Sequence, residues 1–179
     1  MVELKEITKD NLEEVLKLKV AEDQENFVSS TVYSLAQAWA YRKTAFPFAI
    51  YVDNIIVGFI MLGYYESKNQ YTIWKFMIDE QYQSRGYGKK ALELAINYLV
   101  NNFNAKAIFL GVAPQNTTAK NLYHSFGFKD TGEFDEFGFE MKLVVDDWFG
   151  TSPIEHNGNL HLYWANDTDK TGLFFAKVK

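Results

Sequence analysis

Gln83-Ser84-Arg85-Gly86-Tyr87-Gly88-Lys89-Lys90 lies between a strand-like run, residues 71–78, and a segment whose apolar residues Leu92, Ala95, Ile96 and Leu99 recur three and four apart. Glycines at such a strand-to-helix turn let the main chain approach a ligand closely, because no Cβ stands in the way. The first amides of the following helix have no acceptor within it, and they sit at the positive end of its dipole. Together they make an anion site suited to a pyrophosphate, and Arg85, Lys89 and Lys90 add positive charge around it. The stretch predicts a nucleotide-type phosphate cradle in an α/β protein.

Working outward, residues 8–24 read as a helix with Leu12, Val15 and Leu16 inward, ending in the acidic cluster Glu22, Asp23 and Glu25. A second helix is predicted from Ser30, with Leu35, Ala36 and Trp39 inward. Residues 48–52 and 55–65 form a hairpin around Asp53-Asn54, and a further turn leads to the 71–78 strand. Beyond the cradle helix, residues 107–112 are apolar enough for burial on both faces. Asn116 caps a helix over 117–125 that stops at Gly127, and strands at 128–134 and 139–145 follow. This order predicts a mixed, mostly antiparallel sheet with a central strand–helix–strand unit and flanking helices.

The chain divides into a main unit, residues 1–145, and a β-rich extension, 146–179. In the extension, 159–165 and 173–178 alternate as strands do. Trp148, Trp164, Phe174 and Phe175 are too apolar for a free tail, so docking on the domain or on a second subunit, a homodimer, is expected.

The 179 residues carry a net charge of −5, which argues against a nucleic-acid binder. With no cysteine, disulfides, zinc–thiolate sites and cysteine nucleophiles are excluded. No apolar run has the length of a membrane span and no apolar leader is present, so a cytoplasmic protein with no membrane association is the expectation. His124, His156 and His161 are scattered, and no metal site is expected.

Gly86, Gly88 and Ala91 also fit the dinucleotide pattern Gly-x-Gly-x-x-Ala, which would imply an oxidoreductase. Too many elements precede the turn for that, and the next strand ends at Gly111-Val112-Ala113, without a carboxylate for a ribose. A plain glycine cap with surface lysines is the bland alternative. The wider pattern decides between them. Gln83-x-x-Gly86-x-Gly88, followed by Asn116-x-x-Ala119-x-x-Leu122-Tyr123-x-x-x-Gly127-Phe128, resembles the GNAT superfamily of N-acetyltransferases over residues 1–145. Gln24-x-x-Phe27-Val28, Phe76-Met77-Ile78-Asp79 and Gly132-Glu133 are most similar to bacterial diamine, spermidine and spermine N-acetyltransferases.

The resemblance implies a fold in which two parallel strands, 71–78 and 107–112, splay to admit acetyl-coenzyme A. Phe76, Met77 and Ile78 would line its pantetheine arm, with main-chain groups of Met77 and Ile78 pairing with it as a strand would. Gln83 and Ser84 lead into the turn, where the amides of Arg85, Gly86, Tyr87, Gly88, Lys89 and Lys90 would hold the pyrophosphate. Asn116 and Ala119 complete the donor site, Asn116 serving equally as a helix cap. Tyr123 would protonate the departing thiolate, the alternative being a core aromatic beside Leu122 and Phe126.

Glu25, Glu66, Glu133 and Asp135 are candidate bases by position, with Glu25 and Glu133 foremost. Trp74 and Lys75 stand where relatives sometimes carry an acid. Glu22, Glu25, Glu66, Glu133 and Asp135 form the implied acceptor site, and Asp23, Glu136 and Glu140 add carboxylates suited to a polycation; such charges are equally often a solvated face. The implied activity is direct acetyl transfer to a primary amine of a diamine or polyamine. Acceptors on proteins or antibiotics, and a non-catalytic regulator that binds acyl-coenzyme A or polyamine, are the alternatives.

Overall fold

The computed structural model describes residues 1–136 and 138–145 and, farther on, the backbone of three short strands. Seven strands form the main sheet: β1 (Val2–Glu6), β2 (Ala45–Val52), β3 (Ile55–Tyr65), β4 (Gln70–Ile78), β5 (Ala107–Val112), β6 (Lys129–Asp135) and β7 (Gly138–Val144). Their order is β1-β2-β3-β4-β5-β7-β6, and every pairing is antiparallel except β4 with β5. Four helices cover the sheet: α1 (Leu12–Leu16), α2 (Thr31–Ala40), α3 (Tyr87–Phe103) and α4 (Thr117–Ser125).

One face of the sheet packs under α3, whose Ala91, Leu92, Ala95, Ile96 and Leu99 are fully buried against Ile50, Ile60, Leu62 and Ile108. The other face packs Ala49, Phe59, Met61 and Met77 against Val15 of α1 and Ala38 of α2. Burial from both sides explains why Ile56–Gly63 is apolar without alternation. Each large side chain so buried contributes roughly 1.5–3 kcal/mol. The β2–β3 hairpin turns on Asp53 and Asn54 at φ 48° and 68°, the paired left-handed conformations that a two-residue turn of this kind requires.

Several expectations are corrected. β1 is a strand that periodicity in the first residues did not reveal. The helix expected over 8–24 is only α1, followed by a 3₁₀ turn at Glu22–Gln24. The chain leaves the helix because Lys19 bonds elsewhere: its amide donates to Asp79 Oδ2 at 3.0 Å, and its carbonyl accepts from the Glu80 amide at 2.8 Å.

In α2 the buried face is Thr31, Ser34 and Ala38, whereas Trp39 is 74% exposed and Ala36 is exposed too. Ser34 is tolerated inside because its hydroxyl donates to the Ser30 carbonyl at 2.9 Å. Strand β5 is covered on one face only: Ile108, Leu110 and Val112 are buried, Phe109 is half-buried and Gly111 exposed.

In the extension, β8 (Ile154–His156), β9 (Asn159–Leu162) and β10 (Phe174–Ala176) pair antiparallel in a separate sheet ordered β10-β9-β8. The strands expected at 159–165 and 173–178 are the shorter β9 and β10. The expected docking of Trp148, Trp164, Phe174 and Phe175 lies outside the described residues.

Candidate active site

β4 and β5 pair only through Tyr71, Thr72 and Ile73 opposite Ile108, Phe109 and Leu110. Past that point β4 runs on to Ile78 beside β3 alone. The parting coincides with a bulge: Met61 faces Lys75 and Leu62 faces Ile73, so Trp74 is the extra residue. A bulge bends its strand and sharpens the local twist, which carries β4 away from β5. The indole of Trp74 is accommodated because it lies against Gly63, where any Cβ would collide with the ring.

The edge so exposed has a definite polarity. The Asp79 amide donates to the Val57 carbonyl at 2.9 Å, and the Met77 carbonyl is turned to β3 over Gly58. Strand alternation then turns the main-chain groups of Phe76 and Ile78 toward the parted side. Met77, grouped with them from sequence, directs its carbonyl the other way. The Ile78 carbonyl already accepts from Gln83 Nε2 at 2.9 Å. Gln83 also pairs reciprocally with Gln24, at 2.8 and 3.2 Å, joining the cradle turn to the 3₁₀ turn.

At the start of α3, Ser84 and Gly86 take φ values of 61° and 80°. A Cβ at Gly86 would meet nothing within 4 Å, so glycine serves the conformation there rather than a lack of room. The first helical bond is Lys90 N to Gly86 O at 3.3 Å, and no side chain caps the terminus. The amides of Tyr87, Gly88 and Lys89 therefore precede any intrahelical acceptor, as an anion site requires.

Of the three basic residues, Lys89 lines the cleft. The Arg85 guanidinium folds back to donate to the Gln81 carbonyl at 2.9 Å and lies over the Tyr82 ring. The Lys90 ammonium approaches Glu93 at 3.7 Å. These two side chains are engaged outside the cradle, which leaves the main chain as its principal donor.

The cleft has a volume of about 1060 Å³ and runs from Gln83, Ser84, Gly86, Tyr87 and Gly88 through the parted strands to an acceptor lobe. Asn116 and Ala119 line it, and Asn116 Oδ1 accepts from the Ala119 amide at 3.1 Å, so the residue is a helix cap facing the cleft. Tyr123 also lines it, only 7% exposed and packed on Phe128 at 5.8 Å between ring centres. Burial pushes the Tyr123 hydroxyl up from its ordinary value, which keeps it protonated at neutral pH.

In the acceptor lobe, Glu25 and Asp135 line the cleft, as do Glu136 and Glu140. Glu22, Glu66 and Glu133 do not. Glu22 starts the 3₁₀ turn that ends at Glu25, itself exposed at the cleft edge, and Glu66 sits in the exposed β3–β4 turn. Glu133 lies where the β6–β7 register shifts between Asp130 and Phe134, beside Gly132 at φ 90°, and the whole of β6 is exposed.

The wall missed from sequence comprises Gln37, Tyr65, Thr72 and, as a lining residue, Trp74. They come from three elements, α2, β3 and β4, and it is tertiary packing that brings them to one cleft. Lys75 also lines the lobe; its Nζ donates to Ser29 Oγ at 3.1 Å, and burial lowers its pKa. Among the described residues no group of His, Asp or Glu is arranged to hold a metal, and no helix is long and apolar enough to cross a membrane.

Comparison with known proteins agrees with this geometry. A profile of the acetyltransferase (GNAT) family matches residues 12–128. A spermine/spermidine N(1)-acetyltransferase of Bacillus subtilis is 35% identical over 153 residues, covering 81% of this chain and 98% of the relative. An N-alpha-acetyltransferase of Sulfurisphaera tokodaii is 31% identical over 93 residues, 46% of this chain and 56% of that protein. Among solved structures, a spermidine N-acetyltransferase of Vibrio cholerae in complex with CoA and spermine superposes with a TM-score of 0.65, covering 81% of this chain and 96% of the other. At 18% identity that likeness concerns the fold.

Proposed function

This chain belongs to the acetyltransferase (GNAT) family, and from that premise we propose that it transfers the acetyl group of acetyl-coenzyme A to a primary amine of a diamine or polyamine. The observation that carries the proposal is a single cleft joining a bare-amide helix terminus to a lobe lined by Glu25, Asp135, Glu136 and Glu140. An anionic donor suits the first end and a polycation the second.

When bound, the donor supplies an activated acyl thioester; the chain supplies position and protons. The amides of Tyr87, Gly88 and Lys89 hold the diphosphate, and main-chain groups of Phe76 and Ile78 align the arm along the edge that β5 has left. Tyr123, which lines the cleft between the two ends, is the residue we assign to donate to the departing sulfur. A thiol of pKa near 8.5 is already a fair leaving group, so this help is worth about 10²-fold.

An alkylamine of pKa near 10.4 is neutral in fewer than about one molecule in a thousand at pH 7, a deficit of about 4.6 kcal/mol. Glu25 is the carboxylate we assign to take that proton, directly or through water. With no cysteine in the chain, the amine attacks the thioester directly in a ternary complex.

We take residues 1–145 as the catalytic unit, 146–179 as an appendage, and the cytoplasm as the site of action. The test is thiol release across spermidine, spermine, a diamine, a monoamine, amino acids, an aminoglycoside and a peptide N-terminus. Polyamines should give the highest kcat/KM, with a preference that weakens as salt is added. A uniform response would remove the polyamine assignment. Release with the peptide alone would favour a protein terminus, the acceptor class named for the Sulfurisphaera relative.

A further inference from the structure

The acceptor lobe already contains a primary alkylamine, and it belongs to the chain. Lys75 lines the cleft half-buried, with its Nζ donating to Ser29 Oγ at 3.1 Å. Burial is the only cause that lowers its pKa, so more of it is neutral at a given pH than of a lysine in water. Lys68 and Lys89 also line the cleft, but both are exposed.

The course of β4 places this amine at the reacting end of the donor. The last β4–β5 pair is Ile73 with Leu110, Trp74 is the bulged residue, and Lys75 comes next, where the strands part. A donor held by its diphosphate at the start of α3 runs back along the free edge past Ile78 and then Phe76, so its acyl end arrives beside Trp74 and Lys75. Lys75 lies opposite Met61, and Met61 belongs to the cluster packed under α1 and α2, so the lysine leaves the sheet on that face and meets Ser29 there. An amine tethered at such a point needs no binding step, which raises its effective concentration by orders of magnitude.

We propose that Lys75 is a self-acetylation site, taking the acetyl group of acetyl-coenzyme A when no free amine occupies the lobe. The neutral Nζ adds to the thioester carbonyl, and the C–S bond breaks as the N–C bond stays. The nitrogen gives up one proton to Glu25 or water, the thiolate takes one up, and Nε-acetyl-lysine and free coenzyme A result. The proposal rests on the donor half of the proposed function and adds an acceptor within the chain. Its product is a neutral amide in place of an ammonium, so a lobe lined by Glu25, Asp135, Glu136 and Glu140 becomes more negative toward a polycation.

The test is incubation of the protein with acetyl-coenzyme A and no amine, with intact mass and peptide mapping before and after. One acetyl group per chain should accumulate at Lys75, at least about tenfold faster than at Lys68 or Lys89. Excess free coenzyme A, which competes for the donor end, should suppress labelling at Lys75 alone. Lys75→Arg, which keeps the charge but stays protonated, should remove the fast phase while Lys68 and Lys89 label as before, with thermal melts confirming its fold. A Lys75 that carries no acetyl group, or gains one at the pace of the other two, in protein that still acetylates spermidine would overturn the inference and leave the polyamine reading intact. Fast labelling of Lys75 without turnover of spermidine would uphold self-acetylation and remove the polyamine assignment.

Discussion

The two ends of the cleft are built by different means. The end assigned to the donor offers main-chain amides at the start of α3, held by two left-handed residues, and two of the three neighbouring basic side chains are engaged elsewhere. The end assigned to the acceptor is lined by side chains, drawn from the 3₁₀ turn, α2, β3, β4 and the β6–β7 hairpin. A main-chain site tolerates variation in side chains but not in conformation; a side-chain site has the opposite sensitivity. One fold can thus keep its donor while changing its acceptor.

That contrast is open to attack by substitution. The largest effect belongs to the point where the ends meet. Tyr123→Phe should lower turnover about 100-fold while leaving the donor KM nearly unchanged, as thiol-release kinetics would record. Unimpaired turnover would show that the junction needs no acid. The same substitution has a pH signature. The unfolded chain ionises this phenol near 10.0 and the folded one only at higher pH, so folding stability falls as pH rises above 10.0. Melting curves for Tyr123→Phe should fall less steeply there.

Next is the conformational end. Gly86→Ala places an L side chain at φ 80°, a strain of about 1–2 kcal/mol. The donor KM should rise about five- to tenfold, and the acceptor KM should stay within about twofold. An equal rise in both would mean that the ends are not independent.

The smallest effect sharpens the acceptor side. Glu133→Gln should change kcat/KM for spermidine by less than about twofold, because the β6 irregularity keeps that residue off the cleft. A large loss would restore Glu133 as a candidate base.

The same division governs what could be read in the sequence. β3, β5 and α4 occupy their expected bounds, since hairpin, strand and capping signals are local: Asp53-Asn54 turns the chain, and Asn116 caps its own helix. The strand-to-helix turn with its uncapped helix start was legible for the same reason, being one continuous octapeptide. The parting of β4 from β5 depends on which residue of β4 is skipped in its pairing with β3, and no periodicity in 71–78 marks Trp74 as that residue. The acceptor wall brings Gln37 beside residues of β3 and β4, a proximity that only tertiary packing creates.

Trp39 failed for a related reason. The run Val32–Ala40 is apolar on several sides, and the face that is buried is Thr31, Ser34 and Ala38, which leaves Val32, Tyr33 and Trp39 outside.

The indole against Gly63 has an evolutionary corollary. Positions 63 and 74 share a single volume, so neither is free to drift alone: any larger residue at 63 demands a smaller one at 74, and with it the loss of half the Tyr65–Trp74 ring pair. The shape of the lobe would then change by paired steps, and the residue at 63, which does not line the cleft, would foretell it.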